Sequence, residues 1–329
     1  MKRDKFVRGI GLTAMAALMG AQVGCADASS GGAEGFSPNR VDFIIPSGPG
    51  GSTDLIGRAF IDALEDPLDT QITPENRQGA NGAVGGKAAL AQAPDGETLV
   101  TLFQSLMAIT PLAVEDEDPI GFEDMDVLAA LTIEDYVLVV NSDETDIDSL
   151  DELLEEDGLN FGSSGVGTGG QLSQALLFGQ AGVSNTDVPL DGGAEAVTSL
   201  LGGHVDVASV HIAEAAPYLD DGSFTPIVTF AEEREEFLPD VPTATEEGYD
   251  VVVDQKRFVA APAGLDEAAS EAYTEAIDEA LQDEAYLDYL EDNYISVWEQ
   301  EPDAVADEID GAASTYESQL DELGVTLDE

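Results

Sequence analysis

The chain is 329 residues long and carries 68 acidic against 11 basic side chains, a formal net charge of −57. This charge excludes nucleic acid as a partner, because binding a phosphate backbone requires a basic surface. A hydrophobic fraction of 43% and long periodic segments favour a folded chain over a disordered one. The acidic residues occur in every segment, a pattern that resembles proteins of halophilic organisms.

The start of the chain has the pattern of an export signal. A basic segment is followed by an uncharged apolar stretch over residues 10–21, which is too short to span a membrane. Cys25, the single cysteine, follows a small residue at the end of this region, as in a lipoprotein signal. We therefore expect a signal peptide over residues 1–24 and a flexible tether over residues 25–39. Lipid on Cys25 would anchor the exported chain to the outer face of the cell membrane; a plain signal peptide with an incidental cysteine is the alternative.

Short apolar runs alternate with helical patterns over the rest of the chain. This alternation predicts an α/β fold with parallel sheets. Near the C-terminus, apolar residues recur at steps of three and four over residues 305–323, which predicts a long helix. The predicted strands cover residues 41–45, 98–103, 137–140, 205–210, 227–230 and 258–261. The other predicted helices cover residues 54–64, 85–91, 170–180, 194–201 and 273–281.

Three glycine-rich segments, at residues 46–54, 76–87 and 161–170, are candidates for ligand contact. Glycine lets the main chain approach a ligand closely, and free N–H groups at a helix start attract an anion. For residues 52–54, a simple helix cap is the alternative. The second segment departs from a phosphate-binding loop because Asn81 replaces the first glycine of that motif, so nucleotide binding is excluded.

Two acidic runs, at residues 115–118 and 232–236, are candidates for a metal site. Both lack the glycine turn and the ligand spacing of a calcium loop. We interpret them as solvated faces, and we expect neither a metal ion nor a cofactor.

A series of short blocks runs in order from about residue 40 to residue 325. The blocks are PSGPGGSTD at residues 46–54, ENRQGANG at 75–82, APDG at 93–96, GSSGVGT at 162–168, GGHVD at 202–206, LPDVPT at 238–243 and APAG at 261–264. Their order and spacing resemble the Bug family, the extracytoplasmic solute receptors of tripartite tricarboxylate transporters.

The resemblance implies a two-domain, type II periplasmic-binding-protein-like α/β fold, with a hinge and a ligand cleft between the domains. Residues 40–139 and 256–329 would form one domain, and residues 140–255 the other. The implied function is to capture a small carboxylate and deliver it to the permease subunits of the membrane transporter. The chain is expected to act as a monomer and not as an enzyme.

The resemblance also places ligand contacts in the glycine-rich loops and the segments beside them. His211 lies where family members often carry an acidic or amide residue that faces the cleft; a core or surface role is the alternative. Arg257 is the candidate counter-ion for a second carboxylate, with a stem packed on the surface as the alternative. The other implied contacts are Ser47, Pro49, Gly50, Gly51, Ser52, Thr53, Asp54, Asn81, Ser105, Ser164, Gly165, Gly167 and Thr168.

Two other functions are compatible with the sequence. A secreted hydrolase would use Ser164 with His204 or His211, and it would need a nucleophile, a base and an orienting acid within hydrogen-bond reach. No motif fixes such a set. A receptor domain that signals without transport would have the same sequence features as a transport receptor.

The charge predicts that folding depends on salt. Only one acidic but four basic residues precede Cys25, so the chain from Cys25 onward carries a net charge of about −60. Self-repulsion of this size destabilises a compact state, and the Debye length falls from about 10 Å at 0.1 M salt to about 3 Å at 1 M. We expect the melting temperature to rise steeply between roughly 0.1 and 2 M salt. A flat melting temperature over that range would contradict this prediction.

Overall fold

The structure is a computed structural model that describes Phe36 and residues 38–156 and 158–327. The expected signal peptide over residues 1–24, the lipidation site Cys25 and most of the tether lie outside the described residues. Within those residues, every helix is too short or too polar to cross a bilayer.

Strands and helices alternate along the described chain, and the predicted α/β class is confirmed. The strands are β1 Val41–Ile45, β2 Ile72–Asn76, β3 Thr98–Phe103, β4 Met125–Asn141, β5 Leu159–Ser163, β6 Asn185–Pro189, β7 Val207–His211, β8 Phe224–Thr229, β9 Asp254–Pro262 and β10 Ser296–Val297. The helices are α1 Ser52–Leu68, α2 Ala83–Leu90, α3 Thr110–Ala113, α4 Leu150–Leu154, α5 Gly169–Ala181, α6 Gly193–Leu201, α7 Ile212–Asp220, α8 Glu267–Ala280, α9 Glu284–Asp292 and α10 Pro302–Leu323. A π-helical turn, Ser105–Ile109, precedes α3, and a 3-10 turn, Phe122–Asp124, precedes β4.

The strands form two groups that share β4. The sheet order is β2-β1-β3-β9-β4-β7-β5-β6, with β10 and β8 also paired to β4. The first part of β4, residues 125–135, pairs antiparallel with β9, and the second part, residues 136–141, pairs antiparallel with β7 and β8. We call β1, β2, β3, β9, β10 and the first part of β4 the first strand group, and the remaining strands with the second part of β4 the second strand group.

Long apolar stripes explain the helices that cover these strands. In α1, Ile56, Phe60 and Leu64 recur every four residues and are fully buried. The Phe60 ring lies 6.2 Å from that of Phe43 in β1 and 5.9 Å from that of Tyr286 in α9, measured between centroids. The predicted C-terminal helix is confirmed as α10.

The topology brings six strand ends toward one place. In the first strand group, β1 pairs parallel with β2 and β3, and in the second, β5 pairs parallel with β6 and β7. Parallel strands end at the same edge of a sheet, and ligands of α/β proteins bind at that edge. The loops that follow these strands therefore define the region where a binding site is expected.

Candidate functional site

A cavity of about 890 Å³ lies between the loops of the two strand groups. Its walls come from the loop after β2, the segment after the π-helical turn, and the loops after β5 and β6. The lining residues are Ala80, Asn81, Ala83, Leu106, Thr110, Pro111, Val114, Glu115, Asp116, Glu117, Pro119, Ile120, Ser164, Gly165, Val166, Thr168, Pro189, Leu190 and Asp191.

The side-chain amide of Asn81 links the two groups at this cavity. Its Nδ2 donates to the Gly167 carbonyl oxygen at 3.0 Å, to Thr110 Oγ1 at 2.9 Å and to Ser105 Oγ at 3.2 Å. Asn81 has φ +42°, a left-handed conformation that asparagine tolerates better than most residues. The amide thus fixes the distance between the loop after β2 and the loop after β5.

The loop after β5, residues 164–168, presents donors to the cavity. Thr168 caps α5, since its Oγ1 accepts from Gln171 N, and it also donates to the Gly165 carbonyl oxygen at 2.7 Å. Gly167 donates its N–H to Gln171 Oε1 at 2.8 Å. Within the part of the chain that the structure describes, the N–H groups of Gly165, Val166 and Thr168 have no protein acceptor. Free N–H groups at the start of a helix generally attract an anion, and α5 is 13 residues long.

Gly167 is required for this geometry. Its φ is +72°, and a Cβ built on it would lie 2.9 Å from Thr110 Cα. Any side chain at this position would therefore push the loop away from Thr110 and from the amide of Asn81.

The loop after β1, residues 46–51, is held from within the first strand group and does not line the cavity. The Asp54 carboxylate, which is 2% exposed, accepts from Gly50 N, Asn76 Nδ2 and Arg58 Nε, each at 2.8 Å. Asp54 is therefore a positioning residue of this loop. At the start of α1, the N–H groups of Ser52 and Thr53 have no acceptor among the described residues.

Arg257 lies in a buried cluster beside this loop. Its guanidinium, 1% exposed, forms an ion pair with Glu134 at 2.5 Å and donates to Thr53 Oγ1 and Ser52 Oγ at 3.2 Å each. Ser52 Oγ in turn donates to Glu134 at 2.7 Å. Burial raises the pKa of Glu134, but the charge of Arg257 and the hydrogen bonds from Ser52 and Arg257 outweigh it, so the pKa is lowered. Arg257 is thus engaged by a protein carboxylate in this structure.

His211 and Glu214 lie near the same cluster. The His211 ring stacks on that of Tyr136, with centroids 4.2 Å apart. Burial lowers the pKa of His211 to about 4, so the imidazole is neutral at neutral pH. Burial and the charge of Glu134 raise the pKa of Glu214 to about 7. Neither group adds a fixed positive charge to the site.

The structure separates the predicted site residues into three sets. Asn81, Ser164, Gly165 and Thr168 line the cavity, and Ser105 and Gly167 contact Asn81. A second set surrounds Arg257. Its guanidinium donates hydrogen bonds to Ser52 and Thr53, and His211 lies near the Glu134 carboxylate that pairs with it. The third set, Ser47, Pro49, Gly50, Gly51 and Asp54, forms the loop after β1 and its support.

Sequence reasoning missed the partners of these residues. Thr110 and Tyr136 carried no recognisable motif, although Thr110 fixes the loop after β5. Glu134 had a signal that was not used, because Glu134 and Asp135 interrupt a mostly apolar run over residues 127–140. A charged residue in a buried strand needs a partner, and Arg257 supplies it.

The geometry offers no support for hydrolysis or for a metal centre. Among the described residues, neither His204 nor His211 makes a hydrogen bond with Ser164, and His204 is exposed. No cluster of histidine, cysteine and carboxylate groups suited to a metal ion occurs in the described part of the chain.

Comparison with known proteins identifies the family. The model of the tripartite tricarboxylate transporter family receptor matches residues 56–323. This chain belongs to that family. The resemblance drawn from the sequence blocks is therefore confirmed.

Relatives and solved structures agree with this membership. Protein BugT of Bordetella pertussis is 28% identical over 263 residues, which cover 78% of this chain and 80% of BugT. MatC from Rhodopseudomonas palustris, solved with bound malate, is 27% identical, covers 86% of this chain and 99% of its own, and has a TM-score of 0.77. The periplasmic binding protein BugD is 21% identical, and the match covers 89% of this chain and 100% of BugD with a TM-score of 0.79. The predicted periplasmic-binding-protein fold is confirmed.

The pair of Arg257 and Glu134 predicts a strong stability effect in this family member. Arg257→Gln leaves Glu134 buried and unpaired, so the free energy of unfolding should fall by about 3–5 kcal/mol. Arg234→Gln is the matched control, because Arg234 and Glu246 form an exposed pair, and it should cost about 1 kcal/mol or less. Denaturant unfolding in molar salt measures both. Adding Glu134→Gln to Arg257→Gln should recover stability, and equal losses for Arg257→Gln and Arg234→Gln would contradict the role of the pair.

Proposed function

We propose that this chain is an extracytoplasmic receptor that captures a small carboxylate and delivers it to the membrane subunits of a tripartite tricarboxylate transporter. The observation that carries the proposal is the loop after β5, which presents the unpaired N–H groups of Gly165, Val166 and Thr168 at a cavity between the two strand groups. The malate bound to the related protein MatC supports a carboxylate as the ligand class.

Main-chain donors explain how so acidic a chain binds an anion. The overall field of the protein repels anions, but salt screens that field within about 3 Å at 1 M. N–H dipoles at the start of α5 act at hydrogen-bond distance in a site from which water is removed on closure, so salt weakens them less. Ser164 and Thr168 contribute hydroxyls to the same face of the cavity, and Asn81 holds this face against the first strand group.

We further propose that the receptor has two domains, which correspond to the two strand groups except at residues 136–139 of β4 and 254–255 of β9. Residues 40–139 with 256–329 form the first domain, residues 140–255 form the second, and the hinge lies in the strands that connect them. The change of pairing partners between residues 135 and 136 of β4 supports this division. Closure about the hinge brings the loop after β1 onto the ligand, where the free N–H groups of Ser52 and Thr53 complete the contacts.

Under this proposal, the ligand contacts in and beside the loop after β1 are the residues expected from the sequence. Ser47, Pro49, Gly50 and Gly51 supply the main chain of the loop after β1, and Asp54 holds its shape. Arg257 orients the hydroxyls of Ser52 and Thr53, and His211 stacks on Tyr136. The chain performs no chemistry on its ligand, which fits a family of receptors.

We also propose that the chain acts as an exported, lipid-anchored monomer. A lipid on Cys25 would keep the receptor close to the permease subunits that accept its ligand, and the tether over residues 25–39 would give it reach. The high acidic content suits an exported protein that meets concentrated salt directly.

Carboxylate binding is tested with hydroxyl deletions on both sides of the cleft. Thr168→Val and Thr53→Val keep the side-chain shape and remove one hydroxyl each, so each should weaken binding by about 1–3 kcal/mol. Thr198→Val is the control, because the Thr198 hydroxyl bonds only the exposed turn of α6. Calorimetry with mono-, di- and tricarboxylates in molar salt gives the affinities. The site assignment is wrong if no carboxylate binds, or if both variants bind like the parent.

The anchor is tested by Cys25→Ser. Without a thiol to accept lipid, the protein should move from the membrane fraction to the medium or accumulate as unprocessed precursor. Cell fractionation and intact-protein mass spectrometry follow the two outcomes. A variant that keeps the parent's membrane partition and mature mass would disprove lipidation at this residue.

A further inference from the structure

We infer that residues 325–327, which we call the segment after α10, act as a positioning part of the ligand site. This segment fixes the side-chain amide of Gln171, and the amide in turn sets the loop after β5 in the conformation that leaves its N–H groups free for a carboxylate. The inference rests on the proposed receptor function and adds Gln171 to the residues on which that function depends.

The side chain of Gln171 joins the segment after α10 to the ligand loop. Gln171 lies in the first turn of α5 and is 4% exposed. Its Nε2 donates to the Leu327 carbonyl oxygen at 3.2 Å and to the Asp187 carboxylate at 2.5 Å. Its Oε1 accepts from the Gly167 N–H at 2.8 Å. One buried amide therefore contacts the segment after α10, strand β6 and the loop after β5.

The two acceptors on one side of this amide determine its orientation. A side-chain amide carries its two donors on nitrogen, and its oxygen can only accept. Because Leu327 and Asp187 both present acceptors to Nε2, the amide oxygen must point the other way, toward Gly167. A reversed amide would place its oxygen against two acceptors and its N–H groups against the Gly167 N–H. The Leu327 carbonyl thus helps to hold Gln171 in the orientation that the loop needs.

The orientation of Gln171 decides which N–H groups of the loop remain free. The Gly167 N–H is taken up by Gln171, whereas those of Gly165, Val166 and Thr168 have no protein acceptor among the described residues. The carbonyl of Gly167 is held separately, from the first strand group. Loss of the bond to Gln171 would release one of the two main-chain anchors of Gly167 and let the neighbouring N–H groups turn away from the cavity.

The segment after α10 is packed firmly enough to serve as a support. Leu327 is 2% exposed and is buried in the apolar core. Val325 packs against α5 at Gly179, where an added Cβ would lie 3.1 Å from Val325 Cγ2. α10 itself is anchored just after β3, where Gln104 Nε2 donates to the Tyr316 hydroxyl at 3.0 Å. The segment therefore connects α10 to the ligand loop of the second strand group.

The test removes the segment and the amide separately and together. Truncation after Gly324 removes the segment, and Gln171→Leu removes the amide while keeping a side chain of similar size. Each change should weaken binding of the probe ligands malate and adipate by roughly three- to tenfold, because each loosens the same loop. The truncated Gln171→Leu chain should bind within about twofold of Gln171→Leu alone, because the segment acts through the amide. Calorimetry in molar salt measures the four affinities.

Gln174→Leu is the matched control. Gln174 is fully buried about one turn further along α5, and its Nε2 donates to the Gly162 and Gly170 carbonyl oxygens. No hydrogen bond joins it to the segment among the described residues, so its effect on affinity should add to that of the truncation. If the truncated chain does not fold, Leu327→Ser takes its place, because it keeps the chain length and removes only the buried side chain.

The Gly167 amide gives a readout that a loss of packing elsewhere would not change. Its N–H donates to Gln171, so truncation and Gln171→Leu should each shift its amide proton resonance and speed its hydrogen exchange, even without a ligand. Gln174→Leu should leave the Gly167 signal in place. Amide NMR spectroscopy of the folded variants measures both effects.

The outcomes separate this inference from the proposed function. An unchanged Gly167 signal in the folded truncated chain, an unchanged affinity, or losses that simply add in the double variant overturn the inference while carboxylate capture stands. If malate, adipate and a wider set of carboxylates all fail to bind the folded parent, the proposed function is overturned. The Gly167 signal then still decides whether the segment sets the loop.

Discussion

One electrostatic constraint governs this protein: in the described part of the chain, every basic side chain is already paired with a carboxylate of the protein. We therefore propose that neutral donors hold an anionic ligand. The N–H groups of Gly165, Val166 and Thr168 meet this need, because the start of α5 concentrates partial positive charge without a cationic side chain.

The fold makes these donors available through two features. β4 runs through both strand groups and changes partners midway, so the carboxyl ends of two sets of parallel strands face a common cleft. Asn81 then joins the two sides at the cavity by bonding the Gly167 carbonyl. Asn81 thus holds the loop after β5 against the first strand group.

Sequence patterns predicted the outline of this structure better than its site. β1 and β3 lie where apolar runs predicted them, but β2 and β6 escaped notice because they are polar edge strands that contain proline. Asn81 could be singled out because it departs from a phosphate-binding loop. Its three hydrogen-bond acceptors could not be predicted, because they lie in segments distant in sequence. The partner of Arg257 was hidden for the same reason, because 123 positions separate the two charges. The ordered family blocks predicted which loops form the site. Only the tertiary structure showed which groups in those loops already bond other groups of the protein.

The central claim is that main-chain donors, and not a basic side chain, hold the ligand carboxylate. A crystal structure of the protein with a bound carboxylate, grown from molar salt, tests it most directly. We expect carboxylate oxygens within hydrogen-bond distance of the N–H groups of Gly165, Val166 or Thr168, with the pair of Arg257 and Glu134 intact. A carboxylate bound directly to the Arg257 guanidinium, with Glu134 displaced, would contradict it.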